Sequence, residues 1–169
     1  MVILTKCQDF VLKAFTDEDW EGSVDDWKST NGAIFFLGNC LVSWISKKQS
    51  SISLYTAEDE YIVGASCCTQ VIWMKNALED LLVKYEHPII INCDNTNAIN
   101  MSKNLVMHSK TKHIPIKYHF LREQVSQKVV KLEYVDTKEH IVDIFTKPLP
   151  KEDFEHLRWN LGVISLQQL

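Results

Sequence analysis

Glycine and proline are scarce, at 5 and 4 of 169 residues. Long flexible linkers and low-complexity tracts draw on those residues, so neither is expected. No apolar run approaches the roughly 18 residues of a membrane-spanning helix, so no membrane partner is expected. The opening stretch MVILTKCQDFVLK has an apolar patch but no h-region and no small-residue cleavage site, which argues against a secretory signal. The five cysteines, Cys7, Cys40, Cys67, Cys68 and Cys93, form no CxxC pair and no knuckle spacing, which excludes a zinc ribbon. They read as small core residues in a reducing compartment. A basic surplus is also missing. The net charge of −4 argues on its own against a dedicated nucleic-acid binder. What is present is an ordinary globular composition, 46% apolar and 24% charged, which excludes wholesale disorder and suits one domain.

The charge is unevenly spread. Residues 1–60 carry 5 bases and 10 acids, whereas residues 101–131 carry 7 bases against the single acid Glu123. An acidic end and a basic segment in one small domain suggest two surfaces, one suited to cations and one to phosphates. A plain solvated helix face explains the basic segment equally simply.

Residues 9–16 suit a buried strand. The apolar runs 32–37 and 41–46, separated by Gly38-Asn39-Cys40, read as a β-hairpin, since Gly and Asn tolerate positive φ. A long helix follows, with Thr56 as N-cap and Glu58, Asp59 and Glu60 in its first turn. Glu60, Gly64, Cys67, Val71, Met74, Leu78 and Leu81 share one face, and the helix is expected to end near Tyr85. Residues 88–93 read as a fully buried strand and 95–102 as a short helix. A second long helix is expected over 114–127 with Pro115 in its first turn, then a strand over 128–135. Residues 138–146 and 151–160 have helical patterns, split by Lys147-Pro148-Leu149-Pro150. Trp20, Trp44, Trp73 and Phe35 are expected to pack in the core or along strands rather than to stack on bases. The order β-β-β-α-β-α-α-β-α-α predicts an α/β fold. Its mixed five-stranded sheet would join a three-strand antiparallel meander to parallel strands, with helices packed on it.

Four acids fall where such a sheet would gather them. Asp17 ends the first strand, Asp94 follows the 88–93 strand, Glu60 lies on the inward face of the long helix, and Asp143 lies near the C-terminus. Strand-end acids project into the crevice where open α/β sheets bind ligands, and an acid on an apolar helix face is costly unless paired or metal-bound. Converging carboxylates repel one another, and hard divalent cations such as Mg²⁺ relieve that repulsion. Singly, each residue has rivals: Asp19 for Asp17, Glu58 and Asp59 for Glu60, and an ordinary helix charge for Asp143.

Five segments, FTDEDWEGSVDDWKSTNGAIFFLG (15–38), SWISKKQSSISLYTAEDEYIV (43–63), CDNTNAI (93–99), HSKTKHIPIKYHFLRE (108–123) and VDIFTKPLP (142–150), closely resemble the ribonuclease H region of copia-type LTR retrotransposon Pol polyproteins. The resemblance runs from about residue 15 to 163. It implies an RNase H-like fold over 15–146, preceded by a poorly matching segment 1–14 that includes part of the first strand, and followed by a helical tail 147–169. It also implies metal-dependent endonucleolytic hydrolysis of the RNA strand of RNA–DNA hybrids. Two Mg²⁺ ions, or Mn²⁺ in their place, would be held by Asp17, Glu60, Asp94 and Asp143, the family's four acidic positions.

The implied partners are an RNA–DNA hybrid and a reverse transcriptase domain of the same polyprotein. Lys47, Lys48, Asn95, Lys110, Lys112 and His113 are the candidates for touching the duplex. Many RNase H enzymes carry a mobile histidine near the second metal. No GH stands after the 128–135 strand here; His140, one helical turn before Asp143, could serve in that role, but is expected rather to face solvent. The implied location is intracellular, cytoplasmic or nuclear, within a virus-like particle for an active element. A detached polyprotein piece or a relic reading frame would fit the length. The competing readings are an inactive remnant and a binding or tether module that depends on a reverse transcriptase.

Overall fold

The computed structural model describes residues 10–19, 29–49, 56–85, 88–103, 119–136 and 140–163. Its elements are β1 (Leu12–Asp19), β2 (Thr30–Leu37), β3 (Cys40–Lys48), α1 (Thr56–Asp80), β4 (Ile89–Cys93), α2 (Thr96–Lys103), α3 (His119–Ser126), β5 (Val130–Tyr134), a 3-10 helix (Ile141–Phe145) and α4 (Lys151–Asn160). The five strands form one sheet in the order β3-β2-β1-β4-β5. β1, β2 and β3 pair antiparallel, while β4 runs parallel to β1, and β5 to β4. This is the mixed sheet expected from the order of elements.

The meander follows from local chemistry. Leu37 and Cys40 pair across the two-residue loop Gly38-Asn39, and Gly38 takes φ 61°, the first-position glycine of a type II′ turn. β1 lies about three residues later than expected, because its pairing with β2 runs on to Asp19 opposite Thr30. Asp17 therefore sits inside the strand, opposite Gly32, rather than at its end.

α1 stops at Asp80, short of the expected Tyr85. The Leu82 amide donates to Glu79 O and the Val83 amide to Leu78 O, and Leu82 takes φ 66°. That is a Schellman stop with leucine in the left-handed position. α3 closes in the same way on Lys128 (φ 58°) and α4 on Gly162 (φ 71°). In place of the helix expected over 138–146, the described residues 140–146 form a 3-10 helix over Ile141–Phe145, and 138–139 lie outside the described residues.

Two cores flank the sheet. α1, α2 and α3 cover one face, where Ala14, Phe35, Cys67, Val71, Ile91, Leu121 and Leu132 pack together. On the opposite face Ile34, Phe36 and Leu41 pack against Val142 of the 3-10 helix and Leu161 after α4. Among the aromatics expected in the core or in strand packing, Phe35 is fully buried, and Trp44, 52% exposed, packs from edge strand β3 on Phe145, ring centroids 6.1 Å apart. Trp73 is 64% exposed. Trp20 lies outside the described residues. No described helix is long and apolar enough to cross a membrane.

Candidate active site

Asp17 and Asp94 come from the neighbouring parallel strands β1 and β4, at the sheet end where both strands finish. Asp17 is 1% exposed and lies on the face covered by the 3-10 helix. Its Oδ2 accepts a short hydrogen bond from Thr146 Oγ1, and its Oδ1 accepts one from Lys147 Nζ at 3.2 Å. Asp143 reaches the same ammonium at 3.1 Å.

Glu60 enters from the first turns of α1. Its Oε1 accepts the Glu18 backbone N–H at 3.2 Å, and its Oε2 faces the Cys93 thiol at 3.8 Å. Four elements thus deliver Asp17, Glu60, Asp94 and Asp143 to one place. The ligand atoms fall into two groups of mutually close donors, Asp17 with Asp143 and His140, and Glu60 with Asp94 and Cys93.

Gly32 lets this assembly close. A Cβ there would lie 2.4 Å from Thr146 Cγ2 and 3.1 Å from Val142 Cγ2. The 3-10 helix and the residues after it therefore lie directly on β2. Ser46 on β3 ties the same segment down by donating to Phe145 O at 2.7 Å.

His140 does not face solvent. It is 1% exposed, and its Nδ1 lies 3.7 Å from Asp17, 3.8 Å from Asp94 and 3.6 Å from Asp143. The 3-10 geometry explains the difference. His140 precedes the helix instead of lying within an α-helical turn. Among the described residues, neither ring nitrogen has a hydrogen-bond partner. Burial holds the imidazole below its usual pKa, against the upward pull of Asp17, Asp94 and Asp143.

The electrostatics are those of crowded acids. Burial first, and then Asp17 and Asp94, push the Glu60 carboxyl up to about 9. Burial and Asp17 likewise raise Asp143. Burial alone would lower the Lys147 ammonium, and Asp17 and Asp143 more than reverse that, leaving it above its usual value. At neutral pH the ion-free site is relieved by a proton on Glu60 and by the Lys147 charge. The donor set fits hard divalent cations: four carboxylates, three of them around the buried imidazole. Burial pushes the Cys93 thiol far up, with Glu60 adding to it, and a thiol is a softer donor than hard divalent cations prefer.

Lys47 and Lys48 are exposed at the end of edge strand β3. Asn95 caps α2, its Oδ1 accepting the amides of Asn97 (2.9 Å) and Ala98 (3.2 Å). Lys110, Lys112 and His113 lie outside the described residues. Sequence reasoning missed Gly32, Thr146 and Lys147. The signal for the last two was their place directly after the VDIF stretch that carries Asp143.

No family model matches the chain. It is 37% identical, over 98% of its length, to the retrovirus-related Pol polyprotein from transposon RE2 of Arabidopsis thaliana, and covers 11% of that protein. It is 36% identical, over 93% of its length, to the corresponding polyprotein from transposon TNT 1-94 of Nicotiana tabacum, and covers 12% of it. The chain thus spans about a tenth of the length of these curated relatives. Among solved structures, the N-terminal RNase H domain of a Mycobacterium tuberculosis protein, determined as a maltose-binding-protein fusion, aligns with a TM-score of 0.50. That alignment has 8% identity and covers 88% of this chain and 97% of the other. The chain is a homologue of the retrovirus-related Pol polyproteins of plant transposons, folded as an RNase H domain.

Proposed function

We propose that the chain is the RNase H domain of a copia-type retrotransposon, hydrolysing the RNA strand of RNA–DNA hybrids with Mg²⁺ or Mn²⁺. The observation that carries this reading is the convergence of Asp17, Asp94 and Asp143 within 3.6–3.8 Å of His140 Nδ1, with Glu60 beside them. Asp17 and Asp143 would hold one ion, and Glu60 and Asp94 would serve the second. When bound, such ions supply an activated water and charge stabilisation for the leaving oxygen.

The residues themselves bind, orient and exclude. The Glu18 amide fixes the direction of Glu60. Thr146 fixes that of Asp17. Neutral His140 fills the space between three carboxylates and keeps bulk water out of their centre. Glu60 must release its proton as an ion enters, so ion affinity rises with pH. Lys47 and Lys48, on the exposed strand end, are placed to meet backbone phosphates, and Lys110, Lys112 and His113 would extend that contact. Discrimination of the RNA strand would rest on its 2′-OH. A reverse transcriptase region of the same polyprotein would supply further grip on the duplex.

The test is cleavage of a labelled RNA–DNA hybrid by the purified chain with Mg²⁺, with Mn²⁺ and with chelator, beside Asp94→Asn. Metal-dependent cutting that falls at least about a hundredfold in the variant is the expected result, in keeping with loss of an electrostatic catalytic group. A folded chain that never cuts, even at low salt, refutes autonomous activity. Fusion to a reverse transcriptase region then separates a dependent module, which would cut, from an inactive remnant, which would not.

A further inference from the structure

Both oxygens of Asp17 are already engaged by the chain itself. Lys147 Nζ lies 3.2 Å from each of them, and Thr146 Oγ1 bonds Oδ2. The same ammonium lies 3.1 Å from Asp143 Oδ1. An ion taking Asp17 and Asp143 would need the oxygens that Lys147 now holds. The two donors differ in freedom. Thr146 is 8% exposed and wedged against Gly32, with its amide bonded to Asp143 O. The Lys147 side chain is 27% exposed, at the rim, on a flexible four-carbon stem. Thr146 can stay, and Lys147 can leave.

We propose that Lys147 is a resident counter-cation that competes with divalent ions for Asp17 and Asp143, so that ion binding expels its ammonium from the cluster. It is a positioning residue, holding two mutually repelling carboxylates in place until an ion replaces it. The inference rests on the reading that these carboxylates take divalent ions, and extends it to how the ion gains entry.

Two measurements on the full chain test it. The first is calorimetric titration of Mn²⁺ into wild type, Lys147→Met and Lys147→Arg, with Lys151→Met as control. Lys151 is an exposed lysine of α4 within reach of Glu155, so its removal changes net charge without touching the cluster. Lys147→Met should bind Mn²⁺ about tenfold more tightly, as expected when a charge-assisted competitor is removed. Lys147→Arg and Lys151→Met should stay near wild type. Unchanged or weaker binding in Lys147→Met overturns the proposal.

The second measurement needs no variant. The rate at which an N-hydroxysuccinimide ester acetylates Lys147 in wild type, read by peptide mass spectrometry, should rise several-fold on adding Mn²⁺. A rate that is unchanged or falls shows that the ammonium is not expelled. Failure of the two readings is distinguishable. Mn²⁺ binding by wild type with no effect at Lys147 defeats this inference alone. No binding by any variant defeats the ion-dependent function itself, and this inference with it.

Discussion

Replacing Gly32 with alanine places a methyl carbon 2.4 Å from Thr146 Cγ2 and 3.1 Å from Val142 Cγ2. Two effects oppose each other. Alanine lowers the conformational freedom of the unfolded chain, which stabilises by about 0.4–1 kcal/mol. Forcing an extra carbon into packed space costs about 1–3 kcal/mol. Overpacking wins here because the neighbour cannot turn away. Threonine is stiff at χ1, and its hydroxyl is held on buried Asp17. The 141–147 segment must lift as a unit, taking Asp143, Thr146 and Lys147 with it.

Gly64 supplies the control. Among the described residues, a Cβ there meets only Leu121 Cδ2 at 3.6 Å, an ordinary contact, in the interior of α1. Gly64→Ala should therefore stabilise by about 0.5–1 kcal/mol. Urea unfolding in chelator should show Gly32→Ala less stable than wild type by about 1–2 kcal/mol. Mn²⁺ affinity, measured where both proteins are fully folded, should fall at least about tenfold, the equivalent of about 1.4 kcal/mol. A Gly32→Ala protein with wild-type stability and wild-type Mn²⁺ affinity would refute the reasoning, because it would mean the segment does not rest on β2.

Three further outcomes follow from the same geometry. Glu60 has a folded-state pKa of about 9 against an ordinary 4.5. The folded state therefore binds the extra proton, and stability in chelator should fall as pH rises through that window. The loss is at most about 1.4 kcal/mol per pH unit for one group. Glu18, raised to about 8 chiefly by burial, acts in the same direction. Glu60→Gln should flatten the urea-derived stability profile between pH 5 and 8.5, and an unchanged slope would remove Glu60 as the cause. Cys40, Cys67, Cys68 and Cys93 are buried, and burial pushes the Cys68 thiol up to about 12. Alkylation mapped by mass spectrometry should label these four only as fast as the chain unfolds, and rapid native labelling would contradict the packing. Leu82→Gly should raise stability by about 0.5–1 kcal/mol, because Leu82 is 90% exposed at φ 66° and contributes strain without burial. A destabilised variant would show that Leu82 makes a contact that matters.

The sheet was legible because its signals are local. GAIFFL and LVSWIS flank a Gly-Asn turn, and PIIINC is too short and too apolar for anything but a buried strand. Element ends were less legible. A Schellman stop with leucine at the left-handed position leaves no glycine to mark it, so the end of α1 was placed five residues late. The position of β1 depends on cross-strand pairing with β2, which is not encoded within residues 9–16 themselves.

Of the site, the acids were legible and their companions were not. Asp17, Glu60, Asp94 and Asp143 stood out jointly, because carboxylates at strand ends and on an apolar helix face are costly without a purpose, and the family resemblance chose among their rivals. His140 reads as a surface residue because an α-helical turn would carry it away from the sheet. Only the 3-10 path, pressed onto the sheet through Gly32, turns it inward among three carboxylates. Gly32 carries no chemistry, and its role exists only in the contact it permits. The same holds for Thr146 and Lys147, ordinary residues made relevant by a chain segment that arrives from 130 positions away in sequence to lie on Asp17. A site built by close approach between distant segments hides its small and positioning residues from any one-dimensional reading, whereas its charged residues stand out because their burial has to be compensated. That asymmetry explains why the carboxylates were found first, and why the residues that hold them in place appeared only once the strands were paired.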